Sequence, residues 1–290
     1  MNTSGVFTTH KYRIPLQDQS PLRLVIFGDV HRDSPNFAHN RWEEFLDYAK
    51  GLPKSTRFLG MGDYIDSMSA SERKALMAAS FHEGTTVDLT HLAQGKVKTL
   101  TNELSFMKGR LIGLINGNHF FLDPGTGINS DQMLAQALGC KYLGVSSFIR
   151  LEFVIAKTTV ITYDLWAHHG AGGGKRVGGS LNRVDDMRDH AEADVYLMGH
   201  DHKKGVWPAT PRMQLVNGNG ILRVRERQAY LVRSGSFLKS YEDGETSYNV
   251  DSCRGPSSLG HVELELTFRR SGGRKPGESR HYVIETRGIA

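Results

Sequence analysis

The chain has 290 residues, a net charge of +5 and two cysteines, with 39% hydrophobic and 23% charged residues. That length and balance belong to a globular protein with a sizeable core, and they exclude a fibrous or disordered chain. No run approaches the ~20 apolar residues of a membrane helix. Met1-Asn2-Thr3-Ser4-Gly5 shows no basic-then-apolar leader, and Cys140 and Cys253 suggest no disulfide framework, so a cytoplasmic protein without a membrane partner is expected.

Pro21–Phe27 is a short apolar run that reads as a buried strand emptying into Gly28-Asp29-Val30-His31. Trp42, Phe45, Leu46 and Ala49 follow at helical spacing, and Gly51 and Pro53 stop that helix. A second strand, Thr56–Met61, ends at Gly62-Asp63. Strand, helix, strand makes a βαβ unit with parallel neighbours, which places Asp29 and Asp63 on one edge of one sheet. The stretch 70–108 reads as a helical insertion, with Leu89, Leu92, Val97, Leu100, Leu104 and Met107 able to line a face. Arg110–Ile115 is a third strand, ending at Gly117-Asn118-His119.

A helix over Ser130–Leu138, capped by Asn129 or Ser130, leads to two strands, 147–155 and 158–163, that form a hairpin around Ala156-Lys157. The second continues through Ala167 into His168-His169-Gly170. Leu181–Ala191 is helical, and Asp194–Met198 is a strand that empties into Gly199-His200-Asp201-His202. Beyond it, 203–290 is mostly short strands, expected to complete a second sheet. One domain over 1–290 is expected, α/β in class. Its two mixed sheets pack face to face with helices outside, and its strands deliver the five islands to one sheet edge, where open α/β folds place their sites.

Each island alone is weak evidence, because Asp and Asn beside glycine are ordinary turn residues. Their conjunction is not weak. Asp, Asn and His after five apolar strands supply enough oxygen and imidazole donors for two metal ions. With no thiolate among them, the donor set suits Mn, Fe, Zn or Co better than Ca. Two ions need a bridging ligand, and Asp63 lies between the two donor groups. A pair of ions ~3.5–4 Å apart serves displacement at phosphorus.

The order Asp-x-His, Gly-Asp, Gly-Asn-His, His-x-Gly, Gly-His-x-His, over residues 22–202, resembles the calcineurin-like metallophosphoesterases. The resemblance implies a four-layer α/β/β/α sandwich. It implies two divalent ions, Mn first with Fe, Zn, Co or Ni as alternatives. One ion would be held by Asp29, His31 and His202, the other by Asn118, His168 and His200, with Asp63 as bridge. His119 would be the catalytic histidine rather than a ligand. In the fourth island either His168 or His169 could bind metal; the family's habit of taking the ligand at the strand exit implies His168, with His169 near the substrate. The implied reaction is hydrolysis of a phosphate ester by a metal-bridging hydroxide, with a phosphomonoesterase or a non-catalytic scaffold on the same fold as alternatives. The modest positive charge and the glycine-rich loop 171–180, with Lys175 and Arg176 as candidate phosphate contacts, favour a phosphodiester such as a nucleotide or nucleic acid. A homo-oligomer is compatible with all of this.

Overall fold

The computed structural model describes every residue except 1–5, 17–20, 80–81, 157–158, 173, 175, 219–220, 254 and 272–280. In chain order the elements are β1 (Phe7–Pro15), β2 (Leu22–Phe27), α1 (His39–Gly51), β3 (Arg57–Gly60), α2 (Ala70–Ala78), α3 (Glu83–Glu103), β4 (Leu111–Leu114), α4 (Ser130–Leu138) and β5 (Lys141–Tyr142). They continue with β6 (Ser146–Ala156), β7 (Thr159–His168), α5 (Val177–Asp185), β8 (Val195–Met198), β9 (Lys204–Pro208), β10 (Arg212–Gly218), β11 (Ile221–Arg227), β12 (Tyr230–Ser234), α6 (Tyr248–Asp251), β13 (Val262–Ser271) and β14 (His281–Ile289).

Two six-stranded mixed sheets result, in the orders β14-β13-β2-β3-β4-β5 and β1-β6-β7-β8-β12-β9. Strand alternation sorts their side chains into layers. Leu24 and Ile26 of β2 point at the other sheet and pack with Leu59, Leu151, Leu165, Leu197 and Val232. Val25 and Phe27 point the other way, against Trp42 and Phe45 of α1, Leu100 of α3 and Leu134 of α4. On the far side, Val184 of α5 covers Tyr196 and Leu231. The layer order is helix, sheet, sheet, helix, as the resemblance implied.

The βαβ unit forms as expected, with β2 parallel to β3 from Leu24↔Arg57 to Phe27↔Gly60. Asn129 caps α4 by accepting the Gln132 N–H at 2.8 Å, and Gly139 ends it in the left-handed region. Two expectations change. The tail 203–290 divides between the sheets instead of completing one: β9 and β12 extend the second, β13 and β14 extend the first, and β10–β11 stand apart. In the stretch 70–108, Ala93, Val97 and Leu100 are buried in α3 while Leu92 lies outside. The edge strand β1 was hidden by its half-exposed, polar-rich alternation. The turn at Lys157 lies outside the described residues. Among the described residues, no helix is long and apolar enough to cross a membrane.

Candidate metal centre

The five islands meet across the seam between the sheets. Three follow β2, β3 and β4 of the first sheet and two follow β7 and β8 of the second, so the site takes one edge from each sheet instead of a single edge. Asp29, His31, Asp63, His200 and His202 all have positive φ, between 46° and 73°, and Cys253 is the one other described non-glycine residue that does. Each such backbone costs about 1–2 kcal/mol. Outliers of this kind persist where the surroundings over-determine them, and here they coincide with the donor atoms.

The surroundings that hold them are specific. Asp29 is fully buried, and its carboxylate accepts the His200 N–H at 3.0 Å and the Ser234 hydroxyl at 3.4 Å. Asp63 uses one oxygen for structure: its Oδ1 accepts the N–H groups of Asn118 and His119 at 2.6 and 2.9 Å. Its Oδ2 is left facing His169 Nε2 at 3.2 Å and His31 Nε2 at 3.7 Å. That approach requires glycine at 117, where a Cβ would overlap both the Asp63 carboxylate and its backbone nitrogen. Gly62 is held to glycine twice, by φ +101° and by His169 Nδ1, which would lie 2.5 Å from an added Cβ.

Two donor groups emerge. Asp29, His31 and His202 form one, with His202 Nε2 3.6 Å from Asp29 Oδ1. Asp63, His169 and His200 form the other, and Asn118 Oδ1 joins it, 2.9 Å from His169 Nε2 and 2.8 Å from His200 Nδ1. Asp63 Oδ2 lies between the groups. A third cluster, His31, Asp66 and His119, adjoins the first.

The donor chemistry fits divalent ions. Both nitrogens of His31 are buried without a hydrogen-bond partner. Such an orphaned group is costly in a folded core and is relieved by an ion. The spacing fits as well, because ligands held at ~2.0–2.2 Å from one ion stand ~3–3.6 Å apart. Burial and mutual charge set the protonation of the cluster. Burial pushes Asp29 up to about 7, with the Asp63 charge adding to it against His169. Burial would also raise Asp63, but the charge and hydrogen bond of His169 outweigh it and hold that carboxyl well below the usual range. His169 responds in kind: burial lowers it, Asp63 overrides burial, and it is pushed up to about 10. Burial takes His200 down to about 4 and His202 to about 3, so both are neutral and able to donate a lone pair at neutral pH.

The fourth island corrects an expectation. His168 is still in the strand, opposite Ser146 and Met198, and the alternation that turns Ala167 inward leaves His168 on the outer face beside Trp166. There its Nδ1 accepts the Gly170 N–H at 2.8 Å. His169, one residue past the strand, turns inward and is 1% exposed, with Nδ1 2.7 Å from the Met61 carbonyl. The structure therefore places His169, not His168, among the donor atoms, and His169 is too deeply buried to meet a substrate. Arg176 is exposed at the start of α5 and does not line the cavity over the site, although Gly172 of the same loop does. Lys175 lies outside the described residues.

The cavity, of about 580 Å³, is lined by His31, Asp63, His200 and His202 of the donor groups. His119 sits in its wall with Nδ1 2.7 Å from Asp66 Oδ1. Burial would raise Asp66, but the His119 hydrogen bond and the charge of the nearby His31 imidazole, 3.5 Å away, outweigh it and hold the carboxyl well below the usual range. It is in turn anchored by Asp33, which accepts the Asp66 N–H at 2.6 Å and pairs with Lys96 of α3. The insertion thus braces the site wall. Sequence reasoning missed Asp66, since an acid three residues beyond Asp63 looks like ordinary turn polarity. It missed Arg233 as well. That guanidinium, 1% exposed, donates to Gly199 O at 2.8 Å and Ser180 O at 2.7 Å and pairs with Asp201 at 3.2 Å. An arginine ending the apolar run Tyr230–Val232 was the available signal.

No family model matches the chain, and no curated protein matches it. Among solved structures, it is similar to a conserved uncharacterized protein, a predicted phosphoesterase, from Streptococcus pneumoniae TIGR4. The identity is 11% and the TM-score 0.33, covering 93% of this chain and 99% of that one. It is also similar to Vps29 from Chaetomium thermophilum, at 9% identity and a TM-score of 0.35, covering 93% of this chain and 97% of that one. Likenesses this distant carry no weight for activity, which has to be judged from the side chains.

Proposed function

We propose that the protein is a phosphoesterase dependent on two divalent ions, acting on a small phosphodiester. The observation that carries this reading is the pair of donor groups flanking Asp63 Oδ2, together with the two orphaned nitrogens of His31. Asp29, His31 and His202 would hold one ion and Asn118, His169 and His200 the other, with Asp63 shared. Bound there, such ions supply Lewis acidity toward phosphoryl oxygens and make water acidic enough to attack at neutral pH. His119 contributes proton chemistry. With Nδ1–H donated to Asp66, its Nε2 can serve the departing oxygen, and the carboxylate stabilises the imidazolium.

Two features favour a diester. Among the described lining residues there is no arginine, and the one lysine, Lys239, pairs with Glu242 at 2.5 Å. A dianionic monoester would find little to match its second charge. The cavity volume of about 580 Å³ falls in the range of small-molecule sites, suited to a nucleotide-sized diester.

The test is hydrolysis of bis-p-nitrophenyl phosphate against p-nitrophenyl phosphate with added Mn²⁺, alongside calorimetric metal titration. The expected result is binding of two ions per chain and higher kcat/KM for the diester. Faster monoester turnover would overturn the diester preference. Metal binding with turnover of neither would leave a metal-binding scaffold instead of an enzyme.

A further inference from the structure

The insertion 70–108 reaches the metal centre a second time, through α2. Residues 118–120 carry the donor Asn118 and the proton group His119, and their main chain is held from two sides. On the N–H side, Asp63 Oδ1 accepts from Asn118 and His119. On the carbonyl side the holding falls to the segment 67–73. The His119 carbonyl accepts the Ser67 N–H at 3.1 Å. The carbonyls before and after it, those of Asn118 and Phe120, both accept from one guanidinium nitrogen, Nη1 of Arg73, at 2.6 and 3.2 Å. The same nitrogen donates to the Met68 carbonyl at 2.5 Å, and the guanidinium carbon stands 3.9 Å from the centre of the Phe120 ring. Arg73 is half-buried, and its side-chain hydrogen bonds among the described residues all go to these carbonyls.

We propose that Arg73 is a positioning residue for His119, a role that rests on the phosphoesterase reading above. Charge-assisted bonds to the carbonyls on both sides of His119, with the cation also resting on an aromatic face, fix the peptides that lead into and out of it. Without Arg73 those carbonyls lose their donor, and the loop is free to shift. The two donor side chains of the loop would feel that shift differently. The Asn118 side-chain oxygen has anchors of its own in His169 and His200, at 2.9 and 2.8 Å. The His119 ring has the Asp66 bond alone, and its free nitrogen must meet a departing oxygen within hydrogen-bond reach. A misplacement of about 1 Å is enough to cost such a group about a hundredfold. The loss of Arg73 therefore falls on proton transfer and spares ion binding. Arg73 does not line the cavity, so it acts through the histidine and not on a substrate. The insertion then holds His119 twice: its main chain through Arg73, and its ring through Lys96, Asp33 and Asp66.

The test compares Arg73→Met and Arg73→Lys with the wild type, as the full chain loaded with Mn²⁺, on phenyl methyl phosphate and p-nitrophenyl methyl phosphate. The phenolate leaving group needs a proton far more than p-nitrophenolate does. Arg73→Met should lose about tenfold in kcat on the phenyl ester and less than about twofold on the p-nitrophenyl ester, with KM, thermal melt and the binding of two ions unchanged. Arg73→Lys, which keeps a donor, should recover most of the phenyl-ester rate. Equal losses on the two esters, loss of an ion, or wild-type rates on both overturn the proposal. A second readout needs no turnover. In metal-free protein labelled with ¹⁵N-histidine, the Nδ1 proton that His119 shares with Asp66 should exchange with solvent about tenfold faster in Arg73→Met. Unchanged exchange overturns the positioning role. Faster exchange, in a protein whose wild type hydrolyses neither ester, upholds that role and ends the phosphoesterase reading instead.

Discussion

At the C-terminal ends of β7 and β8 the donors are fixed by their surroundings: His200 and His202 hold positive φ, Gly170 and Gly199 leave no room for a Cβ, and His169 is pinned by a buried hydrogen bond to the Met61 carbonyl. At the N-terminal end of β8 the chain instead extends the β10–β11 ribbon, whose outer side chains, Met213 among them, touch solvent. The same sheet supports both. The difference lies in what surrounds each residue: the site draws on five loops from two sheets, whereas the ribbon's outer face has only its own cross-strand neighbours. A substitution at the first end therefore propagates, and one at the second stays local.

The sharpest way to break this contrast is Asp63→Asn. It should cut kcat by about a thousandfold or more, because both donor groups share that carboxylate; near-normal turnover of the diester substrate would end the bridging assignment. Arg233→Met comes next. It strands the Asp201 carboxylate in the interior, and breaking a buried pair from one side costs about 3–5 kcal/mol, readable by urea denaturation. The fourth island offers a paired measurement. His169→Ala should weaken binding of one ion by about a hundredfold or more in calorimetry, while His168→Ala stays within a few-fold; equal losses would contradict the inward turn of His169. Asp66→Asn should lower kcat by about ten- to a hundredfold with two ions still bound, since it weakens the support of His119 and leaves the donors flanking Asp63 in place. The smallest effect belongs to the other end: Met213→Ser should change unfolding free energy by less than about 0.5 kcal/mol in dilute solution.

Much of the fold was legible from the sequence because buried strands leave apolar runs and the islands punctuate them. The βαβ unit, the β6–β7 hairpin and the cap of α4 all announce themselves locally. What stayed hidden depends on non-local facts. β1 is a half-exposed strand and β11 an exposed one, and polar residues mask the period of both. That β13 returns to pair with β2, Val262↔Ile26 onward, cannot be read from either strand alone. The islands gave the donor types and their order. The choice between His168 and His169 turned on where β7 ends, a difference of one residue that flips a side chain from one face to the other.

Each donor group takes residues from both sheets: Asp29 and His31 with His202, and Asp63 and Asn118 with His169 and His200. Ion occupancy would act as a rivet through the seam. Sliding one sheet past the other would open both coordination spheres at once, so metal loading and sheet alignment report on each other. By linkage, free metal at a thousand times its dissociation constant adds about 4 kcal/mol per site to the folded state. Chelation should consequently be felt as a looser sandwich as well as an idle site, with the protein's resistance to unfolding set by the metal supply around it.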